Sequence, residues 1–450
     1  MLDIQGGRVT RSGRGLSRRD FVRVGALGTL GLTLTDWLRL KAAGAVQGGK
    51  AKSVIQIFLW GGPPQTDTFD PKPGAGEEIT GPLKKSIDTN VPGIKIGELL
   101  PMLAKQMDKY AIIRSMTHRD DGHETATYKM LSGTMPSADL VYPCVGSVVA
   151  LKKTEAGYKG AVPPFVAITN SYGRFNEAGF LGSDYKAFPT GGDPLSKEFR
   201  VQGIVAPGGM NEKRQQQRRS LLASVDSLAK QMEKQGEIQA MSTHQQKAYG
   251  LIMGDAKKAF DMSAEQDSVR DRYGRTRMGQ SFLLARRLAE HGVPFITINW
   301  GGWDTHSNNF EAMKRMLPEM DQCFSALLED LKQRGLLDTT IVTWFGEFGR
   351  TPKVFWEPPW NGGRHHYGAC FSAVVAGGGF KGGTVVGASD WNGEQIKDRP
   401  VYPWDLSASM YQLLGIDPMG RLPHPQGCVA YVTPLASGDV PSGGILKEIM

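Results

Sequence analysis

Apolar runs that stop abruptly at glycine or polar steps set the plan of this chain. "KSVIQIFLW" (52–60) is β-branched and apolar and halts at Gly61-Gly62-Pro63-Pro64, as a buried strand halts at a functional loop. "YAIIRSM" (110–116) does the same before a histidine-rich step and the helix-forming "HETATYKML" (123–131). Farther on the order becomes regular. "TRMGQSFLLARRLAEHG" (276–292) predicts a helix stopped by Gly292, "VPFITINW" (293–300) a strand, and residues 308–335 a long helix stopped by Gly335, with Asn308 or Asn309 as its N-cap. "TTIVTWF" (339–345) and "ACFSAVVAGGG" (369–379) predict two further strands. Strand, helix, strand in this order implies right-handed crossovers. The fold class expected is therefore α/β: a three-layer α/β/α sandwich around a mostly parallel central sheet.

Between these segments the pattern weakens. Residues 134–210 are rich in Gly and Pro, with "AVPPFVAIT" (161–169) the one clear strand, and read as surface elaboration. Residues 211–260 are polar and helix-prone and read as a helical insertion laid over the sheet. No repeat divides the rest, so residues 46–450 are expected to form a single domain.

The first 45 residues differ in kind. "SRRDFVRVGALGTLGLTLTDWLRLKAAGA" pairs Arg18 with Arg19, continues through a weakly apolar stretch and ends in Ala43-Gly44-Ala45. It resembles a twin-arginine signal peptide, which implies handling by the twin-arginine export machinery and a periplasmic or otherwise exported location, with no stable membrane span after processing. This segment holds eight Lys/Arg and three Asp/Glu, so it carries +5 of the formal +8. The remaining +3, without basic and aromatic residues interleaved, argues against a nucleic-acid partner. The four cysteines lie far apart with no C-x-x-C pair, which speaks against a zinc ribbon or a disulfide framework.

The polar motifs collect where an open parallel sheet places its chemistry, directly after apolar runs. "NWGGWDTH" sets Asp304 and His306 two residues apart, an oxygen and a nitrogen ligand for a divalent metal; an Asx turn and a helix cap are the alternative. "WFGEFGRTPK" adds Glu347, a further ligand or a base, and Arg350, a clamp for an anionic phosphoryl or sulfuryl group; a plain ion pair between the two is an equal reading. "NGGRHHYG" adds His365 and His366, of which adjacent geometry lets only one face a given ion. Five of the eight histidines, His118, His123, His306, His365 and His366, fall in such loops.

"INWGGWDTH", the long helix and "DTTIVTWFGEFGRTP" together resemble the alkaline phosphatase-like superfamily of phosphatases and sulfatases. "TDTFDPKP", "RSMTH", "WDTHSNNF", "GEFGRTPK" and "GRHHYG", behind a twin-arginine leader, look more narrowly like the exported bacterial family labelled domain of unknown function 1501, grouped with that superfamily. The resemblance implies a hydrolase of phosphate or sulfate esters that uses a divalent metal (Zn, Ca, Mg or Mn) and acts on an anionic ester, a sulfated or phosphorylated small molecule or a glycan. The alternative it leaves is an inactive binding or assembly protein of the same fold, holding a sulfated glycan or a protein partner. Three positions depart from the superfamily pattern. Gly61-Gly62 stand where a metal-binding Asp ends the first strand, with Asp67 or Asp70 as substitutes from farther along. His123 falls at the nucleophile's place, and it and His118 are candidates for nucleophile, general acid or additional ligand; Thr125, Thr127 or Thr117 could instead supply a hydroxyl, or a metal-bound water could attack directly without a covalent intermediate. Glu347-Phe348 replaces the usual Asp-His pair.

Overall fold

The structure, a computed structural model, describes residues 49–137, 140–169, 177–201 and 256–450. The signal-like segment and almost all of the expected insertion at 211–260 lie outside these residues. Of that insertion only its end is described, as the short helix Ala256–Phe260.

Eight strands form one sheet: β1 (Ser53–Leu59), β2 (Tyr110–Met116), β3 (Phe165–Ile168), β4 (Phe188–Pro189), β5 (Phe295–Trp300), β6 (Thr340–Phe345), β7 (Phe371–Ala376) and β8 (Thr384–Val386). Their order is β8-β2-β7-β6-β1-β5-β3-β4. β1 is central and pairs in parallel with β5 on one side and β6 on the other. β7 runs antiparallel to both β2 and β6.

Every residue of β1 is buried, and its period of two divides the core between the two faces of the sheet. Ile55, Ile57 and Leu59 join the cluster built from α3 (Arg277–Glu290) and α4 (Asn309–Gln333), whose Met313, Leu317, Met320, Phe324, Leu327 and Leu331 recur at helical spacing. Val54 and Phe58 join the opposite cluster, built from α1 (His123–Ser132), α2 (Val145–Glu155) and α5 (Pro403–Leu413). The architecture is the α/β/α sandwich with a mostly parallel sheet that the apolar pattern predicts.

Two expectations need correction. Residues 134–210 are not only surface elaboration: α2 buries Val148, Val149 and Leu151 in the second core cluster. Asn308 occupies the N-cap position of α4 in a left-handed conformation (φ 51°) but makes no capping bond through its side chain. Asn309 is turned inward, where its amide donates to Asp67 Oδ2 at 2.7 Å and its oxygen accepts from the Thr305 hydroxyl at 2.7 Å. All four cysteines are free thiols.

Candidate metal centre

The carboxyl ends of the parallel strands share one edge of the sheet, and the residues that follow them meet there. After β1 come Trp60, Gly61 and Gly62; after β2, His118–His123; after β5, Asp304–His306; after β6, Glu347–Arg350. Because β7 is antiparallel, its approach rather than its exit lies on this edge. A two-residue antiparallel ladder then pairs His366 with Arg350 and Tyr367 with Gly349.

Gly61 explains the first departure in the sequence. Its φ of +112° favours glycine, and a Cβ there would press into the backbone of Trp303 and Asp304, 2.6 Å from the Trp303 carbonyl carbon. An aspartate has no room at this place. The Gly61 N–H instead donates to both oxygens of Glu347, at 2.9 and 3.0 Å.

Three side chains converge on one point: His123, Asp304 and His366 each offer a ligand atom, and these atoms lie within 4.8 Å of one another. The tautomers follow from what the other ring nitrogens touch. His366 Nδ1 lies 2.8 Å from the carbonyl oxygen of Asp121, which only accepts, so Nδ1 carries a proton; a ring with that one proton turns a lone pair at Nε2 toward Asp304 Oδ1, 3.0 Å away. His123 Nδ1 donates to Glu347 Oε1 at 2.7 Å, which leaves Nε2 facing Asp304 Oδ2 at 3.3 Å. Lone pairs aimed at carboxylate oxygens call for a positive charge between them, either a second proton on each ring or a metal cation. Histidine whose far nitrogen is locked by a carboxylate or carbonyl is the usual arrangement of a metal ligand. The donor set of two nitrogens and a carboxylate fits a divalent ion with bonds near ~2 Å. Trp60 stacks on His123 (centroids 4.6 Å apart) and Phe348 on His366 (4.3 Å), which fixes both ring planes.

The charges around the three residues are arranged accordingly. Burial by itself would raise the Asp304 pKa, but the hydrogen bond that His366 donates when its ring carries a second proton, with the hydrogen bond and charge of Arg350, outweighs it and holds the carboxyl well below its usual range. The Glu347 hydrogen bond raises the His123 pKa against the opposing effect of burial. His306 adjoins the group: its Nε2 is 3.1 Å from Asp304 Oδ1 and 2.8 Å from His366 Nε2, and its Nδ1 is 2.8 Å from His365 Nδ1. Burial, followed by the charge of Arg350, pushes His306 down to about 4. His365 faces His306 rather than Asp304 and is flanked by Phe355 (4.2 Å) and Trp360 (4.5 Å).

The other residues singled out in the sequence are placed differently. Arg350 is fully buried and its guanidinium is engaged within the protein, donating to the carbonyls of Gly61, Gly62 and Arg364 and to Asp304 Oδ1. It ties the loop after β1 to the loops that carry Asp304 and His366; it is not turned outward as an anion clamp. Glu347 is also fully buried and stands behind His123 as its acceptor, not beside Asp304 as a ligand. His118 uses both nitrogens, Nε2 donating to the Glu347 carbonyl at 2.6 Å and Nδ1 accepting the Asp120 N–H at 3.1 Å, and burial pushes its pKa down to about 4. The Thr125 hydroxyl donates to Asp120 Oδ1 at 2.8 Å. Asp67 is outside the group altogether, gripped by Arg364 at 2.7 and 3.1 Å and by Asn309. Asp70 accepts from the Ser389 hydroxyl and pairs with Lys72 at 3.0 Å. Two residues that sequence reasoning passed over matter here: Arg364, written directly before the paired histidines, and Asp121, which acts through a backbone carbonyl and leaves no sequence signal.

A family model described as "Protein of unknown function (DUF1501)" matches residues 51–436. The chain belongs to the DUF1501 family. No curated protein matches this DUF1501 chain. Similar solved structures include the lipoteichoic acid synthase LtaP from Listeria monocytogenes (11% identity, 87% of this chain and 80% of that one, TM-score 0.35). They also include the C-terminal periplasmic domain of EcEptC from Escherichia coli in complex with Zn (10%, 87% and 95%, 0.36) and the phosphonate monoester hydrolase SpPMH from Silicibacter pomeroyi (10%, 87% and 77%, 0.36). At these identities and TM-scores they say nothing of this chain's reaction, which is argued from its own residues. No helix among the described residues is long and apolar enough to cross a membrane.

Proposed function

We propose that this DUF1501 protein is an exported, metal-dependent hydrolase of phosphate or sulfate esters. The observation that carries the reading is the pair of imidazoles whose Nε2 atoms face the two oxygens of Asp304, each locked from behind by an acceptor on Nδ1. His123, Asp304 and His366 would hold one divalent ion. Such an ion supplies Lewis acidity toward a phosphoryl or sulfuryl oxygen.

The chain's own residues do the rest. Glu347 and the Asp121 carbonyl keep His123 and His366 in the ligating tautomer. Arg350 holds Asp304 ionised and in place. His306, partly exposed at the margin of the group, stays neutral and sets Nε2 beside His366 Nε2 and Asp304 Oδ1, where it borders the ester's place. His118 and Thr125 are occupied within the protein, and both nitrogens of His123 are committed. Thr117 and Thr127 are buried away from solvent, so the reading has water attack the ester directly, without a covalent intermediate on a side chain. The signal-like leader supports export by the twin-arginine route.

The test is elemental analysis of the purified protein together with hydrolysis of aryl phosphates and aryl sulfates. The reading expects one equivalent of divalent metal, and turnover that His366→Ala abolishes along with the metal. A metal-free, inactive protein that binds sulfated glycans overturns it in favour of a binding protein of the same fold.

A further inference from the structure

On the same edge of the sheet, beyond the loop that carries His118 and Asp121, a recess of about 300 Å³ opens at the end of β2. Its walls come from Thr117 and Arg119 after β2, Ala369 ahead of β7, the 395–400 segment, and Tyr402 at the start of α5. That segment is fastened to β2: Val401 N–H donates to the Ser115 carbonyl and Thr117 N–H to the Val401 carbonyl, both at 2.9 Å. The recess is thus framed by the sheet. Tyr402 is held flat against Trp404, with ring centroids 5.4 Å apart and planes within 8°.

The charges in the recess are unequal. Three cationic side chains line it: Arg119, Lys397 and Arg399. Arg399 is already employed, paired with Glu448 at 2.7 Å and donating to the carbonyls of Gly444 and Ile445. Arg119 and Lys397 make no ion pair among the described residues, and one carboxylate, Asp398, stands against them. Arg119 also adopts φ 54°, a left-handed conformation that costs a non-glycine residue of order 1 kcal/mol or more and that its N–H bond to the Gly368 carbonyl (2.9 Å) helps hold. Two free cations in a walled recess focus a positive potential there, and the guanidinium fork matches the oxygens of a tetrahedral anion.

The same loop serves both places. Asp121 orients His366 through its carbonyl and accepts the Gly368 N–H through its carboxylate at 2.6 Å, while Arg119, two residues earlier, faces the recess. We infer that this recess is a subsite for a second anionic substituent of the substrate, a sulfate or phosphate group remote from the ester that is cleaved. The inference rests on the hydrolase reading for its meaning, and it makes the preferred substrate polyanionic. Arg119 and Lys397 then determine specificity and take no part in the chemistry.

The experiment titrates inorganic sulfate into the full chain at low ionic strength by calorimetry, with Arg119→Gln, Lys397→Gln and Asp304→Asn in parallel. The inference expects each of the first two variants to weaken sulfate binding fivefold or more and Asp304→Asn to leave that binding in place. Thermal melts confirm that the variants, changed at exposed side chains, remain folded. An unchanged sulfate affinity in both Arg119→Gln and Lys397→Gln, or its loss in Asp304→Asn alone, overturns the inference. Assays with a small aryl sulfate keep the two readings apart. If the hydrolase reading fails there is no turnover to compare, yet the sulfate site persists; if only the subsite fails, turnover remains and sulfate binding ignores Arg119 and Lys397.

Discussion

Glu347→Gln removes a charge from behind the candidate metal centre while keeping the side chain's size. The Glu347 carboxylate accepts from His123 Nδ1 at 2.7 Å and from the Gly61 N–H through both oxygens at 2.9 and 3.0 Å, and it is fully buried. Glutamine has one accepting oxygen. If that oxygen serves His123, the amide NH2 confronts the Gly61 N–H, and a buried donor left without a partner costs about 1–3 kcal/mol. If it serves Gly61, His123 Nδ1 faces a donor and the neutral ring moves its proton to Nε2, where it blocks the metal. Either way the ligating tautomer loses support, and removing an orienting partner of this kind typically lowers metal affinity about 10–100-fold. At 1.36 kcal/mol per factor of ten, that is roughly 1.4–2.7 kcal/mol. Competition against a chelator of known affinity measures the change, and urea unfolding of the metal-free protein measures the stability loss separately. Metal affinity within a factor of two of the native protein would refute the claim that Glu347 positions His123.

Gly61→Asp should abolish the native fold or lower its stability by about 3 kcal/mol or more, since a Cβ enters the Trp303–Asp304 backbone; a native-like melting temperature contradicts this. Arg364→Met leaves Asp67 buried beside Asn309 without its cation and should cost about 3–5 kcal/mol in chemical unfolding; a loss below 1 kcal/mol contradicts it. His118 is held neutral, its pKa pushed from 6.5 down to about 4 by burial, so the unfolded chain binds the proton first. Its contribution to stability is complete above pH 6.5 and is lost as pH falls toward 4, by at most ~3 kcal/mol. His118→Gln, which keeps a donor for the Glu347 carbonyl, should therefore show a shallower decline in unfolding free energy between pH 6.5 and 4.5 than the native protein; equal slopes refute it.

The sheet was legible because its strands are buried on both faces and end at glycine or polar steps: β1, β2, β5 and β6 coincide closely with apolar runs. The direction of β7 was not legible, since an apolar run reads the same whether its strand is parallel or antiparallel. Helix α2 escaped because "VGSVVALKKTE" opens with β-branched residues and glycine and lacks the amphipathic period that marks an exposed helix. At the candidate metal centre, Asp304 and His366 stood out by following or preceding strands. Their contacts did not: His123 meets Asp304 across 181 positions, and the Asp121 carbonyl that holds His366 belongs to the backbone. Glu347 and Arg350 were visible as chemistry, but only the fold shows that they face inward, because Gly61 lets the loops close over them.

Anomalous diffraction from crystals of the purified protein, collected at the absorption edge of whichever metal elemental analysis finds, tests the central claim most directly. The account predicts one strong peak per chain, about 2 Å from His123 Nε2, His366 Nε2 and an oxygen of Asp304. A peak lodged elsewhere, or none in protein that hydrolyses its ester at full rate, contradicts it.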